Sequence, residues 1–352
     1  MNTTIILNDD IQHFANNFVL YEELREKHFL ITGATGLIGS ILIKCLLALD
    51  KKYGLGLHLT CPVRDTEKAK KVLGSEHINK EKFCILQLTD IAKADKETVN
   101  SWYDYIIHLA APTASKFFVE KPIETFRAVV NGTEAALHLA ERTKTKGMVY
   151  VSSLEVYGSI LDDTKAITEK VQGYIDPMDV RSSYSMGKRA AECLCHSYAS
   201  EKGLRIMTAR LAQTFGAGVA AEDSRVFAQF ARSAVNHEDI ILHTQGTLSR
   251  CYCYTTDAVE ALLYILLKGE AGEAYNVANP NTYISVRDMA QFIQHNFAPD
   301  ISVKIIPKEG CGYSPVTKLR LDSSKAYGLG WKPRTGLKEM FERLILHLSE
   351  TL

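Results

Sequence analysis

The stretch Phe29 to Leu49, FLITGATGLIGSILIKCLLAL, constrains the fold more than any other part of the chain. Its length approaches that of a membrane span. Gly33, Gly36 and Gly39 punctuate its first half, however, and Lys44 interrupts its second. A strand over 28–32, a glycine turn and a helix over 37–49 account for it better than a span does. The glycines follow the spacing G-x-x-G-x-x-G. Gly33 permits a tight turn, Gly36 lets a ligand approach the backbone, and Gly39 lets the helix pack closely on the sheet.

The same alternation continues through the first two-thirds of the chain. Strands are expected at 57–63, 83–88, 104–109, 147–152 and 204–210, and helices at 66–72, 119–142 and 182–202. The strands are continuous apolar runs, as strands covered on both faces should be. Strand–helix alternation implies βαβ units and an α/β fold with a doubly wound parallel sheet. After Gly216 the pattern loosens. Helices at 224–236, 255–269, 285–296 and 335–350 alternate with short strands near 239–242, 251–254, 273–277 and 301–306, which suits a smaller C-terminal α/β lobe. The expected division is a polar helical lead-in at 1–27, a dinucleotide-binding domain at 28–215 and a mainly substrate-binding lobe at 216–352, with some segments returning to the first domain. The helix at 335–350 reads as a solvated cap on the lobe.

Composition narrows the function. With 41 basic and 41 acidic side chains the chain has no net field to hold a polyanion, so nucleic acid is excluded as the main partner. The N-terminus MNTTIILNDD lacks the basic and apolar regions of a signal peptide. A cytoplasmic protein without a membrane partner is expected. Most of the eight cysteines sit in apolar runs, such as Cys45 and Cys84, and read as small buried hydrophobes. Cys193/Cys195 and Cys251/Cys253 have no second pair at zinc-ligand spacing, so no metal site is expected.

The glycine turn in the first βα unit points to a dinucleotide whose phosphates rest at a helix N-terminus, over Gly33, Thr35, Gly36, Leu37, Ile38 and Gly39. The second strand ends in Arg64–Asp65. An acid at that place suits NAD and an Arg suits NADP. Arg64 fits the strand end, although a shift of one residue would present Asp65 instead. Further on, YSMGK places Tyr184 and Lys188 four apart on one face of a helix. An ammonium beside a phenol, together with a cofactor's positive ring, favours phenolate, so Tyr184 suits proton transfer to or from a sugar hydroxyl. The strand at 147–152 runs into SSLEVYG, which sets Ser153 and Glu155 at the C-terminal edge of the sheet, where such sheets bind ligands.

These motifs, in this order, resemble the extended short-chain dehydrogenase/reductase family of NAD-dependent epimerase/dehydratase type. The resemblance also takes in Asp90–Ile91, HLAA at 108–111, Asn131, RLAQTFG at 210–216, Arg250, Tyr254 and Asp257, NVAN at 276–279 and LGWKP at 329–333. The local wording is most similar to the UDP-glucuronate decarboxylase branch. The resemblance implies a Rossmann domain, a nucleotide-sugar substrate and chemistry through a 4-keto intermediate. It makes Tyr184 the acid/base, Lys188 its partner and a ligand of the nicotinamide ribose, Ser153 a hydrogen-bonding group for the oxidised oxygen, and Glu155 the carboxylate of decarboxylases and dehydratases. Asp90, Ile91, Leu109, Ala110 and Ala111 would line the cofactor. Gln213, Arg225 and Arg250 would meet the substrate, with Arg250 on its diphosphate. Leu154 stands where 4,6-dehydratases carry an Asp, which disfavours dehydration. Gln213 departs from the family's Asn, and Arg64 from the acid of NAD-retaining members. An NADPH-dependent reductase of a keto sugar and a non-catalytic cofactor-sensing relative are the alternatives. A homodimer is implied, through helices at 119–142 and 182–202, with Phe126, Val130, Leu137 and Leu194 facing outward.

Overall fold

The computed structural model describes residues 4–74, 82–87, 102–308 and 316–352. Seven parallel strands form the central sheet: β1 (His28–Thr32), β2 (His58–Val63), β3 (Phe83–Gln87), β4 (Tyr105–His108), β5 (Gly147–Ser153), β6 (Ile206–Leu211) and β10 (Ala274–Val277). Their order is β10-β6-β5-β4-β1-β2-β3. The chain winds outward from β1 in one direction and from β4 in the other. A crevice therefore opens at the C-terminal ends of β1 and β4, where the winding reverses. This is the expected doubly wound Rossmann architecture. Phe29, Leu30, Ile31, Ile106, Ile107, Met148 and Val149 are wholly buried, which explains why these strands read as unbroken apolar runs.

Helices α2 (Leu37–Tyr53) and α3 (Thr66–Leu73) follow β1 and β2. The helix expected over 119–142 is two: α4 (Ser115–Glu120) and α5 (Pro122–Thr143). Pro122 stands at the first helical position of α5, and Lys121 before it leaves helical geometry at φ −134°, ψ 56°. A proline starts a helix readily but cannot continue one, and it restricts the residue before it. Helix α6 (Ser182–Lys202) lies against α5 and under β5 and β6.

A second sheet sits on the central one. Its strand β9 (Ser249–Tyr254) pairs with β7 (Gln213–Phe215), β11 (Asn279–Ser285) and β13 (Lys318–Leu319). A separate parallel pair joins β8 (Ile240–Leu242) to β12 (Val303–Ile305). Helices α7 (Val226–Asn236) and α9 (Val286–Phe297) cover this part, and α8 (Thr255–Lys268) packs back on β5, β6 and β10.

Both ends of the chain differ from expectation. Helix α1 (Ile5–Asn17) is no polar lead-in: Leu7, Ile11, Phe14 and Ala15 are buried, and it packs against α2, α8 and α11 (Leu337–Thr351). Nor is α11 a solvated cap, because Met340, Phe341, Leu344 and Leu348 are fully buried. The apolar stripe of α1 joins the core built on α2 and α8, and that of α11 joins the core built on α7 and β9, placements that sequence periodicity does not reveal. Buried Asp10 joins the two helices, accepting hydrogen bonds from Arg343 of α11 and from Tyr254 at the end of β9. Two cysteines also depart from the buried reading. Cys84 is exposed because β3 is an edge strand, and Cys193 lies on the outer face of α6.

Candidate active site

The glycine turn has no room for side chains. Gly33 adopts φ +71°, and a Cβ there would stand 2.9 Å from the Ala110 nitrogen and the Leu109 carbonyl carbon. A Cβ on Gly39 would come within 2.3 Å of the Gly33 carbonyl oxygen, and one on Gly36 within 3.3 Å of it. Gly36 caps α2, so the free N–H groups of the first turn of this helix, around Leu37 and Ile38, open toward Thr35 and the crevice. Thr32 ties this turn to β4. Its hydroxyl accepts the N–H groups of Leu109 at 3.2 Å and Ala110 at 3.1 Å, and lies 2.7 Å from His108 Nδ1. Ala111 follows, half-buried. A backbone cradle that any Cβ would fill fits a pyrophosphate, and these residues would hold it.

At the end of β2, Arg64 is exposed, whereas the Asp65 carboxylate caps α3 by accepting the Lys68 N–H at 2.9 Å. Capping commits Asp65 to its own helix and leaves Arg64 at the strand end. Asp90 and Ile91 lie outside the described residues.

The second half of the site stands across the crevice. Tyr184 and Lys188 project from α6 and are both buried. Lys188 Nζ donates to the Val151 carbonyl at 2.7 Å and lies 5.8 Å from the Tyr184 ring centre. Phe118 of α4 stacks on Tyr184, with centroids 4.3 Å apart and planes 6° from parallel. Burial pushes the Tyr184 phenol well above its ordinary range, and the Glu155 carboxylate adds to this. The Ser153 side chain, within hydrogen-bonding reach, opposes it. Burial pulls the Lys188 ammonium down to about 8, with Glu192 and Cys195 holding it up. A phenol raised in this way needs added positive charge, from Lys188 and a bound nicotinamide ring together, to release its proton.

Ser153 ends β5, and its hydroxyl accepts the Glu155 N–H at 3.2 Å. Leu154 beside it is buried. Glu155 meets Arg181 Nη1 at 3.3 Å. Arg250 of β9 is buried, and Glu155 also acts on it by charge. Glu155, Arg181 and Arg250 line one cleft together with Ser182, Ser185, Asp176 and Thr317. The structure thus brings Tyr184, Lys188, Ser153, Glu155 and Arg250 to one end of the crevice. Gln213 instead starts β7, opposite Tyr252 of β9. Arg225 caps α7 with its guanidinium 2.6 Å from Asp223 and over the Phe227 ring. Arg181 was missed in the sequence, although it stands one helical turn before Tyr184. Thr317 and Phe118 left no signal, because their approach depends on distant strands and on the break at Pro122.

The sequence profile described as "NAD dependent epimerase/dehydratase family" matches residues 29–278. UDP-glucuronic acid decarboxylase 6 of Arabidopsis thaliana is 30% identical over 88% of this chain and 85% of its own length. The UDP-glucose 4-epimerase of Thermotoga maritima, solved with UDP-glucose, superposes with a TM-score of 0.77 at 21% identity, over 92% of this chain and 99% of that one. The UDP-glucuronic acid 4-epimerase of Bacillus cereus, in complex with UDP-glucuronic acid and NAD, does so at 0.76 and 19%, over 92% and 100%. Together, the glycine cradle, the buried Tyr184–Lys188 pair and the match across most of the chain show that it belongs to the NAD-dependent epimerase/dehydratase family.

Proposed function

We propose that this enzyme modifies a nucleotide-linked uronic acid without net redox change, by decarboxylation or by inversion of a ring centre. The observation that carries this is the surroundings of Tyr184: a carboxylate, Glu155, held by Arg181 beside Arg250, next to an apolar Leu154. Arg181 and Arg250 set two guanidinium groups around Glu155, the kind of donors that grip an anionic sugar, while the exposed Asp176 and Asp179 line the same cleft. Leu154 offers no proton for a leaving hydroxyl, so 4,6-dehydration is disfavoured. The relatives' names add support, since decarboxylases and a 4-epimerase of UDP-glucuronic acid are among them.

The glycine turn, Leu109–Ala111 and Lys188 would hold the nicotinamide dinucleotide, whose chemistry when bound is to take a hydride from the sugar and return it. The residues do the rest. Tyr184 exchanges a proton with the sugar hydroxyl, and Ser153 orients that oxygen. Lys188 is positioned by Val151, and Glu155 stands ready for proton transfer at the neighbouring carbon. Phe118 excludes water from one face of the phenol. The same reading makes the protein a homodimer through α5 and α6.

Arg64 favours a second reading, in which NADPH is consumed to reduce a nucleotide-linked keto sugar. A panel of UDP-, CDP-, dTDP- and GDP-linked sugars and uronic acids, incubated without added cofactor and followed by mass and NMR, decides between them. Conversion without added cofactor supports the proposal. Conversion only with stoichiometric NADPH replaces it with the reductase.

A further inference from the structure

Residues 216–219, which follow β7, form a seam between two cores. Ala217 belongs to the core around α2 and α8, and Val219 to the core around α7 and α11. The segment lies against the start of α2. A Cβ on Gly218 would stand 3.1 Å from Ile41 Cδ1 and 3.6 Å from Leu37 Cδ1. Leu37 begins the turn whose free N–H groups face the crevice. Loosening this segment would therefore loosen one support of the dinucleotide cradle. Both terminal helices reach it by hydrogen bonds. The Tyr254 hydroxyl accepts the Ala217 N–H at 3.3 Å and donates to the carboxylate of Asp10 on α1, which also accepts from Arg343 of α11. His347 of α11 stands 3.2 Å from the Val219 carbonyl through Nε2 and 2.7 Å from the Thr4 hydroxyl through Nδ1. A carbonyl only accepts, so Nε2 carries the ring hydrogen, and Thr4, the cap of α1, donates to Nδ1. Thr4, Asp10, Tyr254 and His347 are all buried. Apolar contact is non-directional and would suffice to fasten two helices to a core. Buried polar groups are costly unless paired, and here their bonds end on two backbone atoms of one short segment, which they fix in place.

We propose that the two terminal helices act as a clasp on the cofactor site. Asp10, through Tyr254, and His347 hold residues 216–219 against the first turn of α2 and so slow the release of the nicotinamide dinucleotide between turnovers. Both are positioning residues that act through the segment, and both lie outside the stretch 29–278 that the family profile matches. The proposal rests on the reading that the reaction is redox-neutral, because a hydride that returns to its own sugar needs a cofactor that stays bound.

The test loads the full chain with NADH, and separately with NADPH, and follows the loss of cofactor fluorescence when excess oxidised cofactor displaces it. Asp10→Asn, Tyr254→Phe and His347→Leu should each release the reduced cofactor about 10-fold faster than wild type, the scale of one lost hydrogen bond. His347→Gln, which keeps an N–H for the Val219 carbonyl, should stay near wild type. Leu344→Ala is the control: it removes a fully buried side chain of α11 and leaves both hydrogen-bond chains in place. It should lower the melting temperature and leave the release rate near wild type. Wild-type release from the folded Asp10, Tyr254 and His347 variants overturns the inference, and so does an equal acceleration in Leu344→Ala. Wild-type release from those variants, in an enzyme that converts a uronic acid without added cofactor, removes the clasp alone. Faster release, in an enzyme that turns over only with stoichiometric NADPH, leaves the clasp standing and removes the redox-neutral reading. A wild-type chain that binds neither dinucleotide removes both.

Discussion

Tyr184 is held in a way that separates its chemistry from its structural role. Its ring stacks on Phe118, while its hydroxyl faces Ser153. Tyr184→Phe keeps the stack and removes only the hydroxyl. The expected outcome is at least ~100-fold lower kcat with the bound cofactor retained, checked by turnover and by cofactor release on denaturation. His108 shows a second kind of constraint. The Thr32 hydroxyl accepts two backbone N–H groups, so its own proton goes to His108 Nδ1 and Nε2 carries the ring hydrogen. Burial pulls this imidazole down to about 3. The unfolded chain therefore takes up a proton below about 6.5 that the folded chain refuses. Between about pH 6.5 and 3 this one group lowers stability by about 1.4 kcal/mol per pH unit, and it has no effect above that window. Denaturation midpoints measured across this range should show a shallower acid slope, by about one proton, for His108→Gln. The sequence announced Tyr184, Lys188, Ser153 and Glu155 because each sits in a local motif. It was silent on Thr317 and on the Asp65 cap, which depend respectively on strand pairing and on where a helix begins.

At the scale of elements, the glycine turn is the most demanding piece. The Gly39 position faces the Gly33 carbonyl at 2.3 Å from where a Cβ would be, and both partners are backbone that cannot swing aside. Gly39→Ala should cost about 1–3 kcal/mol of stability, the range for overpacking a tight site. It should also release the dinucleotide; denaturant titration and cofactor content check this. The first βα units were legible because burial on both faces writes each strand as an apolar run bounded by turns. Helices α1 and α11 were misread for the opposite reason. Each shows a mixed surface, and only packing against elements distant in sequence, α8 for α1 and α7 for α11, places the apolar stripes in the interior, while Asp10, Arg343 and Tyr254 join the two helices. Strand β10 was legible as a strand, but its place beside β6 in the central sheet is a fact of topology.

At the scale of the whole molecule, the crevice between the glycine turn and β9 lies where the two sheets meet. Of the apolar positions expected to face a partner, Leu137 is fully buried in this chain's own core, because it points to β4 and β5. Phe126 is 39% exposed and Ile123, on the same helix, 67% exposed. The proposed homodimer should appear as a dimer in light scattering at micromolar concentration, and Phe126→Glu combined with Ile123→Glu should leave a monomer with the fold unchanged. Among the described residues no helix is long and apolar enough to cross a membrane. The proposed function depends on transient oxidation at the sugar's C4, with the hydride returned to the same molecule. Its most direct test is a single turnover of UDP-glucuronate deuterated at C4, without added cofactor, followed by NMR. The expected result is a reaction slowed by the label and a product that keeps deuterium at C4. An unslowed reaction, or a product whose C4 deuterium has been replaced by hydrogen, would contradict it.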